Sequence, residues 1–125
     1  MLLELMLAIA LVESANNPLA IGDDGRAIGM LQIHKIVVDD VNRIYDSYYT
    51  YEDRNCPRKS REIFELYVNY WGSYYSSKTG REVTHRIVCD IWNGGATAPI
   101  RKMTHIVYTK QKKDASCVIS KIGWL

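Results

Sequence analysis

Leu2-Leu3-Glu4-Leu5-Met6-Leu7-Ala8-Ile9-Ala10-Leu11-Val12-Glu13-Ser14 opens the chain, and its reading decides the fold. Thirteen residues with only two acids and one serine are apolar nearly all round. A helix of that kind has no preferred wet side, so the pattern predicts a central buried helix surrounded by others. Asn16, Asn17 and Pro18 supply its stop. The apolar run Leu5 to Val12 has no basic region before it, with Glu4 where a Lys or Arg belongs, so it does not read as a signal peptide. It is too short to span a bilayer. The expectation is a helix of the mature domain, with access to any cell-wall substrate arranged by some other route or by a segment upstream of this sequence.

Outward from that helix the pattern stays mostly helical. Gly22-Asp23-Asp24-Gly25 is turn-forming, and a short β-hairpin is compatible with this stretch. Val37, Val41, Ile44, Tyr45 and Tyr48 recur at helical spacing. Pro57 suits the first turn of a further helix, with Asn55 or Cys56 before it. That helix should run to about Tyr75, with Phe64, Tyr67, Trp71 and Tyr74 on one side, and break at Lys78-Thr79-Gly80. Val83, Ile87 and Ile91 mark another, stopped by Asn93-Gly94-Gly95. Weaker helical patterns lie at Thr104 to Gln111 and Ser116 to Ile122. The fold class expected is mainly α, or α+β with a small hairpin, in a single domain over residues 1–125.

Composition narrows the function classes. Apolar residues make up 47% and charged residues 24%, which is globular rather than disordered. A net charge of +2 without a dense basic patch gives no support to nucleic-acid binding. Arg101, Lys102, Lys110, Lys112, Lys113 and Lys121 face only Asp114, a bias that suits either a solvated helix end or an anionic polymer. Cys56, Cys89 and Cys117 have no CxxC spacing, so one disulfide plus a thiol and three thiols both stay open. His34, His85 and His105 are too scattered for a metal site, and no cofactor motif is present. Nine Tyr and three Trp stand against one Phe. Such residues fill a small core, but they also suit a cleft that stacks on a sugar and meets water.

Glu13 is the residue with the most chemical promise. It lies near the C-terminal end of an apolar helix. Burial and the negative end of the helix dipole both favour a protonated carboxyl. A carboxyl that keeps its proton near neutral pH is what a glycosidase uses to protonate a leaving oxygen. A Glu on an exposed helix edge is the plain alternative.

Three short motifs occur in order: Glu13-Ser14 continuing to Asn17-Pro18 and Ala20, then Gly29-Met30-Leu31-Gln32-Ile33, then Ile91-Trp92-Asn93-Gly94-Gly95. Together they resemble the lytic transglycosylase and goose-type lysozyme superfamily, over roughly residues 2–110. The resemblance implies a lysozyme-like fold and cleavage of the β-1,4 bond between N-acetylmuramic acid and N-acetylglucosamine in peptidoglycan. It implies that Glu13 is the general acid and that Ser14 orients it or meets substrate. Gln32 would line the cleft, with Gly29 letting the backbone pass close. Trp92 stands where relatives often place a Tyr, and its indole can stack but lacks the phenolic hydroxyl; Asn93 follows it. Tyr108 corresponds to a downstream cleft Tyr.

The resemblance also frames two outcomes. In lytic transglycosylases the single Glu acts next as base while the sugar's own 6-hydroxyl closes a 1,6-anhydro ring. In goose-type lysozymes a second carboxylate helps to place a water, and relatives carry an Asp in a Gly-Asp-x-Gly stretch before the second motif. Here Asp23 and Asp24 occupy Gly22-Asp23-Asp24-Gly25, with Asp23 six residues before Gly29. An inverting hydrolase needs roughly 6.5–9.5 Å between its carboxyl groups. Hydrolysis is the favoured expectation, and a pair of backbone-capping turn residues the plain reading of both Asp. The partner expected is the peptidoglycan glycan strand, met by a monomer or by a domain of a larger assembly at the cell wall, with no membrane or nucleic-acid partner. A chitinase-like enzyme and a non-catalytic glycan-binding domain are the other readings.

Overall fold

A computed structural model describes residues 2–104 of the chain. Within them the protein is mainly helical, with one small antiparallel two-stranded sheet. The order is α1 (Leu2–Ser14), β1 (Ile21–Gly22), β2 (Ala27–Ile28), α2 (Lys35–Tyr45), a 3-10 turn (Tyr51–Asn55), α3 (Pro57–Thr79), α4 (His85–Gly94) and α5 (Ala98–Thr104). The chain divides after Tyr67 into two compact units.

The first unit holds α1, the hairpin, α2, the 3-10 turn and α3 as far as Tyr67. Leu5, Met6, Ile9 and Ala10 of α1 are buried, as are Leu31, Ile33, Val38, Val41, Ile63 and Phe64. Full enclosure of α1 is not found. Leu3, Leu7 and Leu11, at i, i+4 and i+8, are 49%, 43% and 56% exposed. An apolar residue states what a position tolerates, not what covers it, and a helix with no polar face carries no mark of its wet side.

Helix α1 stops where Ala15 and Asn16 turn left-handed, at φ 54° and 60°. The hairpin pairs Ile21 with Ile28 and Gly22 with Ala27, closed by the turn Asp23–Arg26. Helix α2 is shorter than its spacing suggested. Asp46 turns left-handed at φ 52° and its N–H bonds Asn42 O, so Tyr48 falls outside the helix. Before α3, the Asp53 carboxylate accepts a 2.8 Å bond from the Thr50 N–H and lies 3.3 Å from Lys59 Nζ. Burial pushes the Asp53 carboxyl up, but those two partners outweigh it and hold it below its ordinary value. This 3-10 turn had no counterpart in the sequence pattern.

The second unit holds the rest of α3, then α4 and α5. Helix α3 runs to Thr79, and the chain turns at Gly80. Trp71 meets Tyr70 and Tyr74 edge to face at 5.0 and 5.4 Å. Helix α4 begins at the cap Thr84, whose hydroxyl accepts from the Ile87 N–H, so Val83 precedes it. It packs on α5, an element the sequence reading did not anticipate. The expected helices near 104–111 and 116–122 lie outside the described residues, apart from Thr104 at the end of α5.

Asp90 is buried on α4, and Lys102 of α5 bonds it at 2.6 Å. Next to it, burial pushes the Cys89 thiol up to about 11, with the Asp90 charge acting the same way. Cys56 and Cys89 are free thiols, and Cys117 lies outside the described residues. A thiol with that value is ionised to roughly one part in a thousand at pH 8. Native-state alkylation at pH 8, mapped by peptide mass, should therefore leave Cys89 unmodified while half-buried Cys56 reacts. Equal labelling of the two would contradict the packing of α4.

Candidate functional site

The first unit brings the first two motifs together. Glu13 is the second-last residue of α1 and is half-buried. Its neighbour Ser14 donates 2.7 Å to Met30 O, 16 residues on, and also reaches Ala10 O at 3.2 Å. Ser14 Oγ also accepts from the Asn17 N–H at 3.1 Å. Ser14 thus ends the helix, shapes the Asn17-Pro18 turn and ties both to the second motif. The resemblance implied that Ser14 orients Glu13 or meets substrate. Its hydroxyl bonds the backbone of Ala10, Met30 and Asn17.

The second motif is a tight loop between Ile28 and Ile33, which exchange backbone bonds of 3.1 and 2.9 Å. Gly29 opens the loop at φ +84° and Gln32 closes it at φ 54°. The Gln32 amide donates to Gly29 O at 2.8 Å and Ala20 O at 3.3 Å, while the Gly29 N–H bonds Ala20 O. Gln32 was expected to line a cleft. It is half-buried, and its amide nitrogen is engaged in holding the loop to the hairpin.

Gly29 was expected to admit a close approach to the cleft. The close approach is to protein: a Cβ there would lie 1.9 Å from Arg54 O. Arg54, which sequence reasoning missed, is 6% exposed. Its guanidinium donates to Tyr51 O, Arg26 O and Ile33 O, and its charge lies over the Tyr51 ring at 5.6 Å. Burial holds it below the ordinary arginine value. No sequence signal separated it from a solvated arginine, because it is flanked by Glu52, Asp53 and Asn55. Asn55 adds a bond to Pro18 O at 3.0 Å.

Asp23 and Asp24 sit at the hairpin tip, both left-handed at φ 51° and 56°. Asp tolerates that conformation, so turn geometry alone accounts for the residue type. Their side chains differ. Asp24 is 95% exposed and 4.0 Å from Arg26. Asp23 is 36% exposed, and its carboxylate lies 3.3 Å from His34 Nε2, the residue that leads into α2.

Trp92 and Asn93 are adjacent and half-buried on α4, in the second unit. Gly94 and Gly95 are explained by local geometry. A Cβ on Gly94 would lie 2.7 Å from that of Ala98, and Gly95 ends α4 at φ +96°. Tyr108 lies outside the described residues. Among the described residues no group of His, Cys, Asp and Glu can hold a metal, and no helix is long and apolar enough to cross a membrane. No family model, curated protein or solved structure matches this chain.

Gly29→Ala should be severe. The methyl meets a backbone carbonyl and the φ is left-handed, so a loss of about 3 kcal/mol or more is expected in urea unfolding. A change under about 0.5 kcal/mol, the usual surface range, would mean that the Gly29–Arg54 contact does not form.

Proposed function

We propose that this chain is a peptidoglycan-cleaving glycosidase of lysozyme-like fold, related to lytic transglycosylases and goose-type lysozymes, with Glu13 as its general acid. The observation that carries this reading is the Ser14–Met30 bond. Two motifs separated in sequence meet through it, and Glu13 stands next to that junction at a helix end. A bare helix-edge Glu has no reason to adjoin a second motif of the same family.

In the proposed reaction Glu13 gives its proton to the bridging oxygen of the β-1,4 bond. The carbon–oxygen bond breaks, and the leaving sugar departs as a 4-hydroxyl. A water then adds to the anomeric carbon and yields its proton to a second carboxylate. Asp23 is the better candidate for that role than Asp24. Its side chain is less exposed and faces His34, which restricts its direction, whereas Asp24 is almost wholly in solvent. No cofactor or metal is needed for this chemistry.

Glu13→Gln keeps the shape and removes the proton, so lysis of purified cell walls should fall by at least about 100-fold, the lower range for general acid catalysis. Lysis at the parent rate would remove Glu13 from the mechanism. Asp23→Asn should cut the release of reducing ends sharply while Asp24→Asn leaves it near the parent level. The opposite ranking would exchange their roles, and two inert substitutions would favour a transglycosylase, in which Glu13 itself takes the second proton.

A further inference from the structure

His34 stands just before α2, at the position where a helix commonly takes a capping side chain. It supplies no such cap: its side chain makes no bond to the first turn of the helix. Its Nε2 lies instead 3.3 Å from Asp23 Oδ2, at the tip of the hairpin.

The backbone is anchored on both sides of this pair. Ile33, just before His34, exchanges bonds with Ile28, and its O accepts from the Arg54 guanidinium at 3.1 Å. The His34 O accepts from the Val37 N–H at 3.1 Å as α2 begins. Asp23 is held in its turn by the Gly25 N–H on Gly22 O at 3.1 Å and the Arg26 N–H on Asp23 O at 3.2 Å. Two fixed stretches of chain therefore meet through these two side chains.

The cations nearest along the chain are directed elsewhere. Arg26 donates through Nε to the Asp23 backbone O at 3.3 Å, and its guanidinium stands 4.0 Å from the Asp24 carboxylate. Lys35 lies over the Tyr51 ring at 4.9 Å. Among the described residues, His34 alone brings a side-chain nitrogen within ion-pair reach of the Asp23 carboxylate. It approaches Oδ2, which leaves Oδ1 for another partner. The two side chains are 36% and 42% exposed, so water has access to both.

A carboxylate with one oxygen held and the other open suits a general base that must meet a water in one direction. Bond cleavage by Glu13 has two possible endings. In one, water adds to the anomeric carbon and its proton passes to Asp23, which leaves a reducing end. In the other, the sugar's 6-hydroxyl adds to that carbon and its proton passes to Glu13, which leaves a 1,6-anhydro end. Only the first uses Asp23, so whatever directs that carboxylate sets the division between them.

We propose that His34 is a positioning residue that holds Asp23 Oδ2, presents Oδ1 to the attacking water and thereby biases cleavage toward hydrolysis. The proposal rests on the glycosidase reading, with Glu13 as acid and Asp23 as base. Purified peptidoglycan is digested with each variant, and the ratio of 1,6-anhydro to reducing ends is read by mass spectrometry. His34→Ala should raise that ratio about fivefold, the upper range for a partly exposed pair. A mere loss of folded protein would slow both endings together and leave the ratio in place. Adding His34→Ala to the Asp23→Asn chain should leave the ratio where Asp23→Asn alone puts it, because the ring acts through that carboxylate.

An unmoved ratio in His34→Ala overturns the proposal, as does a rise of the same size on the Asp23→Asn background. Cleavage by the unsubstituted chain with a ratio indifferent to His34 removes the role of His34 alone. No cleavage by the unsubstituted chain removes the glycosidase reading, and this role with it.

Discussion

The absence of a side chain at Gly29 is the constraint on which the first unit depends. It lets the loop Gly29–Ile33 lie directly against the Arg54 carbonyl, where a Cβ would come to 1.9 Å. Arg54 in turn closes the carbonyls of Arg26 and Ile33, groups that would otherwise be costly to bury. Gln32 holds the same loop to Ala20, and Ser14 holds it to the end of α1. Glu13 therefore stands on a helix terminus held from one side by its own helix and from the other by a hydrogen-bonded loop. Under the proposed reaction that bracing would fix the direction in which the acid's proton points.

Much of this was legible in the sequence, and for identifiable reasons. Helix α1 follows from a thirteen-residue stretch, ten of them strong helix formers, followed by Asn16-Asn17-Pro18. Gly22-Asp23-Asp24-Gly25 marked a turn with which a hairpin was compatible, and Pro57 marked the start of α3. What the sequence did not reveal shares a cause: it depends on partners distant along the chain. Leu3, Leu7 and Leu11 look like core until the covering elements are known. Tyr48 continues the helical spacing of α2, but the left-handed Asp46 ends the helix first. Arg54 carries no local sign of burial, since its partners are carbonyls 21 and 28 residues away.

The candidate site was legible as a set of residue types, less so as a set of roles. Ser14, Gly29 and Gln32 were expected to meet substrate, and their polar groups or lack of them are engaged by the protein itself. The bonds of Ser14 and Gln32 hold the second motif to the end of α1 and to the hairpin. Asp23 and Asp24 were equivalent in sequence, and only the approach of His34 to Asp23 separates them. Trp92 and Asn93 belong to the second unit and stand as neighbours on α4.

The central claim is that the chain breaks the glycan strand with Glu13 as the acid. Mass spectrometry of the fragments released from purified peptidoglycan by the unsubstituted chain tests it most directly. Fragments ending in reducing N-acetylmuramic acid are the result this account predicts, with a water as acceptor. Exclusively 1,6-anhydro ends would contradict the hydrolytic step assigned to Asp23, and an intact glycan strand would contradict the claim itself.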